Sequence, residues 1–222
     1  MNQQILEYDV IIVGGGMVGA SLAAALKNHT DKKIAVVEAC PFQSDVQPSF
    51  DDRSIALSYG SRRIFESIGL WKKLEPEIEA IKSIHVSDRG HLGATRLHHT
   101  EENVEALGYV AESKVIGRVL MNEVQNLSHV DWFCPATIET FKAIENTSCV
   151  EIKMAEKIVT LQAKLLVAAD GVHSVTRKLA GIGIKQDDYQ QSAVITNVKM
   201  DQLHQGIAFE RFTDTGLLLF CR

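Results

Sequence analysis

The sequence predicts an α/β protein: a Rossmann-like dinucleotide-binding domain with a smaller β-sheet domain interleaved into it. Three observations lead there. A β-branched run, Tyr8-Asp9-Val10-Ile11-Ile12-Val13, ends directly at glycines, as a buried parallel strand does. Met17 to Asn28 then carries apolar residues at Val18, Leu22, Ala25 and Leu26, the spacing of a helix laid on a sheet. Ile34-Ala35-Val36-Val37 makes a second buried strand, closed by Glu38. The result is a βαβ unit in about thirty residues, as a dinucleotide fold requires.

The other elements follow in order. Asp51 to Gly69 reads as a loop that becomes a helix, with Ile64, Phe65 and Ile68 on one face. Ile84 to Gly90 reads as a strand entering a turn, and Val115 to Leu127 as a helix striped by Val115, Val119, Leu120 and Val124. Val130 to Phe133 and Val150 to Met154 have strand character. Leu165-Leu166-Val167-Ala168-Ala169 is expected to be another buried strand, running straight into Asp170-Gly171. Ser192 to Val198 and Ile207 to Phe212 are expected in a second sheet, which the apolar Gly216 to Phe220 run would continue. There is no repeat, low-complexity tract or Pro/Gly-rich linker, so the second domain is expected to interleave with the first. The expected boundaries give 1–80 and 111–185 to the dinucleotide domain, and 81–110 and 186–222 to the sheet domain.

Composition removes several functions. With 222 residues, 45% hydrophobic and 23% charged, the chain is ordinary for a globular protein of one or two domains. A net charge of −5 argues against a nucleic-acid partner, whose phosphates call for a basic excess. The four cysteines, Cys40, Cys134, Cys149 and Cys221, form no CxxC pair. Neither a disulfide framework nor a zinc site is expected, and a reducing, cytoplasmic setting fits. The uncharged stretch from Val10 to Leu26 is preceded by Glu7 and Asp9 and interrupted by glycines, unlike a signal peptide or a bilayer span. The His98-His99 pair would point to opposite faces of a strand, so no metal site is expected.

Chemistry is concentrated in a few motifs. Gly14-x-Gly16-x-x-Gly19 follows a strand and opens a helix. Its glycines allow a tight turn, close approach of a pyrophosphate, and close helix packing. Free N–H groups at the helix start then favour phosphate. Glu38 lies 19 residues after Gly19, at the end of the next strand. A carboxylate there accepts hydrogen bonds from both ribose hydroxyls of an adenosine and repels a 2′-phosphate. The unit itself leaves NAD and FAD both open.

Asp170-Gly171-Val172-His173-Ser174-Val175-Thr176-Arg177 is the second motif. It places a carboxylate at a strand's C-terminal end, with Ser174 able to cap a helix and Arg177 able to hold the loop or reach a phosphate. The segment resembles the DGxxSxxR motif of the class A flavoprotein monooxygenases, matching every fixed position. Asp51-Asp52-Arg53-Ser54-Ile55-Ala56-Leu57-Ser58 resembles the Asp-x-Arg-Ala-x-Ala-Leu segment of the ubiquinone-pathway hydroxylases in that family, with Ser54 in place of the usual alanine. The Ile84 to Gly93, Ala193 to Val198 and Ala208 to Thr213 runs are similar to the same branch.

This resemblance covers nearly the whole chain. It implies FAD as cofactor, NAD(P)H as co-substrate, and hydroxylation of a polyprenylated methoxyphenol by O2 activated at the flavin C4a. It implies that Arg53 lies near the flavin and its pyrophosphate, that Arg118 contacts the FAD linker, and that Asp170 and Gly171 belong to the cofactor site. The bland reading of Arg118 is a solvated surface arginine. No catalytic acid or base is indicated. A prenylated substrate implies peripheral association with the inner membrane surface or with a ubiquinone-biosynthesis complex. Rivals are a flavoprotein oxidase, a hydroxylase of another aromatic, and an FAD-binding remnant without turnover. Family members continue into a second flavin-contacting Gly-Asp segment and the rest of the substrate sheet, so the sheet domain is expected to be incomplete here. A chain of this length is expected to hold FAD weakly, not to hydroxylate, and to associate through the exposed sheet.

Overall fold

The structure, a computed structural model, describes residues 5–27, 31–41, 53–198, 201–202 and 204–221. In chain order the elements are β1 (Ile5–Val13), α1 (Met17–Leu26), β2 (Ile34–Val37), β3 (Ser54–Ser58), α2 (Tyr59–Ser67), α3 (Trp71–Leu74), β4 (Glu79–Ile81), β5 (Ser83–Asp88), β6 (Ala94–His98) and β7 (Gly108–Glu112). They continue with α4 (Ser113–Val124), β8 (Val130–Phe133), β9 (Thr137–Ile144), β10 (Thr147–Met154), β11 (Lys157–Ala168), α5 (Val175–Leu179), β12 (Ile207–Thr213) and β13 (Gly216–Phe220). Contacts divide the chain into two units, residues 1–50 with 117–193, and residues 51–116 with 194–222.

The first unit holds a six-stranded sheet in the order β8-β2-β1-β11-β10-β9. Its first four strands are parallel, and β10 and β9 add an antiparallel ribbon. Every residue of β2 is buried, which is why Ile34 to Val37 reads as an uninterrupted apolar run. Ile11, Val150, Ile152 and Leu161 are all 0% exposed and pack with Tyr8, Val13 and Val37 into one core cluster. Ala20, Ala23 and Ala24 form the buried stripe of α1. On α4 the expected Val115, Val119, Leu120 and Val124 are all buried.

The second unit contains two sheets, β3-β7-β4 and β13-β12-β5-β6. Trp71 and Tyr109 stack edge to face at 4.6 Å in the core beside the first. Ile81, Val110 and Ala208 form another apolar cluster.

Six sequence expectations need correction. Val18, expected on the face of α1 packed against the sheet, is 73% exposed, and Ala20, Ala23 and Ala24 take that face instead. Residues 54–58 are a strand, not a loop: β3 pairs antiparallel with β7 along its whole length. Pairing of β3 and β4 with β7 also places residues 51–80 in the second unit. Ile64 is 63% exposed, so the α2 face that packs inward is carried by Phe65, with Ile68 just beyond. Leu165 is 53% exposed. The β10 register ends at Ala163, leaving the last part of β11 paired to β1 alone. Residues 192–198 have no regular structure and are exposed. Their β-branched composition is not enough without a strand to pair with. Asn28, expected at the end of α1, and Asp51-Asp52 lie outside the described residues.

Candidate functional site

Strand register assembles the site. Val13 of β1 lies opposite Val37 of β2 and Ala168 of β11, while Val37 lies opposite Phe133 of β8. The residues that follow, Gly14, Glu38, Ala169-Asp170 and Cys134, therefore leave the sheet along one edge. This is the carboxyl end of the parallel strands, where the chain crosses from β1 to β2 on one side and β11 lies on the other. Open α/β sheets bind ligands at such a switch point.

At that edge the Gly14 N–H donates to the Val37 carbonyl at 2.8 Å, and the Ala169 N–H donates to the Val13 carbonyl at 2.7 Å. Gly14 has φ +100°, in the left-handed region that glycine enters freely. A Cβ there would stand 2.3 Å from the Ala169 carbonyl oxygen. At Gly19 a Cβ would stand 1.8 Å from the Gly14 carbonyl oxygen. Helix α1 thus rests on the turn itself. Gly16 is its N-cap, provides no side-chain cap, and the first turn contains no acidic residue. A helix start of this kind favours an anion through its free N–H groups and its dipole.

Gly15 sits at a position the glycine pattern leaves unspecified. A Cβ there would lie 2.6 Å from a ring carbon of Trp132 and 3.0 Å from the Glu38 Cβ. Its only trace in the sequence is the unbroken Gly14-Gly15-Gly16 run.

Glu38 is 8% exposed. Its Oε2 accepts from the Gly15 N–H at 2.5 Å and its Oε1 from the Cys40 N–H at 2.7 Å. Its own main chain donates to Phe133 and accepts from Ala136. Two donors occupy about half of a carboxylate's acceptor sites. The others remain for a vicinal diol, and the charge disfavours a phosphate on the same sugar. Uncapped helix start, tight glycine turn and buried acid together fit an adenosine diphosphate group.

Asp170 is committed to the turn that follows β11. Its Oδ1 accepts from the Ser174 hydroxyl at 2.5 Å, and its Oδ2 accepts from the Thr176 N–H at 2.9 Å and the Thr176 hydroxyl at 3.0 Å. Burial would raise the Asp170 pKa, but these bonds outweigh it and hold the carboxyl below the ordinary aspartate value. Ser174 caps α5 by accepting from the Arg177 N–H at 2.9 Å. Arg177 ties the loop by donating to the Val172 carbonyl at 3.2 Å. Gly171, at φ +80°, makes the turn. Asp170 is therefore an organiser of the Gly171 turn.

Arg118 is exposed on α4. Arg53 belongs to the second unit, just before β3, and its carbonyl accepts from the Ser113 N–H and hydroxyl at 2.8 and 3.0 Å. That unit also contains a cavity of about 210 Å³ lined by Ser54, Glu77, Glu79, Val110, Glu112 and Val115, a lining too acidic for a pyrophosphate. Among the described residues there is no cluster able to hold a metal ion and no helix long and apolar enough to cross a membrane.

A glycine turn at a switch point, facing a buried acid on the neighbouring strand, defines a dinucleotide-binding protein of the α/β class. The chain belongs to the FAD binding domain family, whose model matches residues 7–213. It is 40% identical to an uncharacterised protein of Synechocystis, over 95% of this chain and 50% of that one. It is 29% identical to the ubiquinone hydroxylase UbiL of Rhodospirillum rubrum, over 94% of this chain and 47% of the relative. The chain thus spans about half the length of the curated relatives it matches. Its fold is also that of p-nitrophenol 4-monooxygenase PnpA from Pseudomonas putida, with a TM-score of 0.68, 18% identity, and coverage of 80% of this chain and 44% of that one.

Proposed function

We propose that this chain is the FAD-binding portion of an FAD-dependent monooxygenase of the ubiquinone-hydroxylase kind, acting with NAD(P)H and O2 on a polyprenylated methoxyphenol. The observation that carries this reading is the Glu38 carboxylate, buried and fixed by the Gly15 and Cys40 amides beside an uncapped helix start. Its setting is a chain matched by the FAD binding domain over residues 7–213.

FAD supplies the electron transfer and oxygen activation when bound. The chain's own residues bind and orient it. Glu38 takes the adenosine ribose through its remaining lone pairs. Gly14, Gly16 and the first amides of α1 take the pyrophosphate. Gly171 lets the main chain approach closely, and Asp170 fixes that turn. Arg53 and Arg118 offset phosphate charge, a task for which guanidinium groups suit. A prenylated substrate resides in a bilayer, so the enzyme works in the cytoplasm at the membrane surface or within a biosynthetic complex.

The test is a titration of the purified chain with FAD and with FMN, which lacks the adenosine. Saturable binding that favours FAD by tenfold or more is expected. Equal affinity for the two flavins would overturn the adenosine assignment. For the activity, the chain extended to the length of its relatives should hydroxylate a prenylated phenol and incorporate one oxygen atom from labelled O2 into the product.

A further inference from the structure

We infer that Cys40 and Cys134 form an oxidisable thiol pair at the adenosine end of the proposed FAD site, and that joining them as a disulfide weakens FAD binding. The coupling to FAD rests on the Glu38 reading given above; the pairing of the thiols does not.

The pair is a product of register. Val37 of β2 lies opposite Phe133 of β8. Past those residues the Glu38 N–H donates to the Phe133 carbonyl at 2.9 Å, and the Ala136 N–H donates to the Glu38 carbonyl at 2.8 Å. Cys134 is thereby held beside Glu38. Its Sγ lies 3.2 Å from the Cys40 carbonyl oxygen and donates to it. Both residues are thiols of intermediate exposure, so a small oxidant reaches them. Of the other two cysteines, Cys149 lies within β10, opposite Gln162 and Lys142, and Cys221 follows β13 in the second unit.

Chemistry and geometry then connect the thiols to Glu38. Hydrogen peroxide is the oxidant class. One thiolate attacks a peroxide oxygen, the O–O bond breaks, and a sulfenic acid and one water result. The second thiol attacks the sulfenic sulfur and expels the oxygen as a second water. The balance is two thiols and one peroxide giving one disulfide and two waters. At present the Cys40 carbonyl occupies the place facing Cys134 Sγ. In the proposed disulfide, residue 40 turns about its Cα to bring its sulfur to that place. Its N–H, which now holds Glu38 Oε1 at 2.7 Å, turns with it. The carboxylate loses one of the two amides that aim it.

The experiment treats the whole chain with hydrogen peroxide, alkylates the remaining thiols, maps the peptides without reduction, and titrates FAD before and after treatment. A Cys40–Cys134 crosslink is expected, with Cys149 and Cys221 still alkylated. FAD should bind three- to tenfold more weakly in the oxidised chain, with recovery on adding dithiothreitol. Cys134→Ser should retain the reduced chain's affinity and lose the peroxide response. Both thiols alkylated after peroxide would overturn the pair, and a crosslinked chain with unchanged FAD affinity would overturn the coupling. Glu38→Ala separates the two readings. If that variant still crosslinks while its FAD affinity equals the parent's, the ribose assignment fails and the thiol pair stands.

Discussion

The Gly15 N–H points at Glu38 Oε2 across 2.5 Å, joining the glycine turn after β1 to the acid that ends β2. The contact explains two features at once. Gly15 has no space for a Cβ because Trp132 and Glu38 fill it, and Glu38 is buried with each of its side-chain oxygens held by a backbone amide. Charge-assisted bonds to backbone amides are among the stronger hydrogen bonds.

Glu38→Gln is the direct test of that carboxylate. The amide is nearly isosteric but loses the charge and offers one acceptor oxygen. A bond to a charged partner contributes roughly 1.5–3 kcal/mol, so FAD affinity should fall about tenfold or more while the melting temperature changes little. Isothermal titration together with a thermal melt would check it. Undiminished affinity would reduce Glu38 to a structural clasp for the Gly15 turn.

Asp170 gives a pH-dependent prediction. Its folded pKa lies below the ordinary aspartate value. The unfolded chain therefore binds the proton more readily, and the native state gains stability from the ionised form above the ordinary value. That gain is present at neutral pH and is lost as pH falls below about 4. Asp170→Asn should destabilise the chain in urea at pH 7, and the difference from the parent should narrow at pH 3. Ser174→Ala removes the α5 cap and should cost about 1 kcal/mol. A gap for Asp170→Asn that stays constant with pH would show that the Ser174 and Thr176 bonds do not set the titration.

What the sequence revealed follows the range of its signals. β2 and the end of β1 were legible because short β-branched runs buried on both faces of a parallel sheet show it locally. Strand β3 was not, because its outward Ser54, Ala56 and Ser58 look like loop chemistry until β7 pairs with it. Residues 192–198 erred the other way, being β-branched but without a pairing strand. The tight turn at Gly14 and the position of Glu38 just past β2 could be read from spacing. The crowding of Gly15 by Trp132, and the meeting of Cys40 with Cys134, depend on the β2–β8 register. No local pattern carries that.

Arg62 offers a test of the second unit. Its guanidinium stands 5.4–5.8 Å from the rings of Tyr59, Trp71 and Tyr109, and its Nη1 meets Glu105 at 2.6 Å. Glu105 is 74% exposed at its side chain, whereas Arg62 is 12% exposed. An ion pair with so exposed a partner contributes less than about 1 kcal/mol, while stacking of a desolvated guanidinium on rings contributes up to about 2 kcal/mol. Arg62→Met should therefore lower stability more than Glu105→Ala, and added salt should not remove the difference. Equal losses would show that the ion pair dominates.

Gly16 and Gly19 should separate binding from folding. At Gly19 a Cβ would meet the Gly14 carbonyl oxygen at 1.8 Å, and neither α1 nor the turn can yield without disturbing β1. Overpacking of this kind costs typically 1–3 kcal/mol, so Gly19→Ala should lower the melting temperature with or without flavin. Gly16 differs, because its φ of −65° and ψ of −172° suit any residue. A side chain there strains nothing in the backbone and stands at the start of α1, where the pyrophosphate is proposed to bind. Gly16→Val should fold with a circular dichroism spectrum and melting temperature close to the parent's, and should retain no FAD through gel filtration. If Gly16→Val keeps its flavin, the pyrophosphate does not lie on this turn. If it unfolds, its glycine serves the fold as Gly19 does.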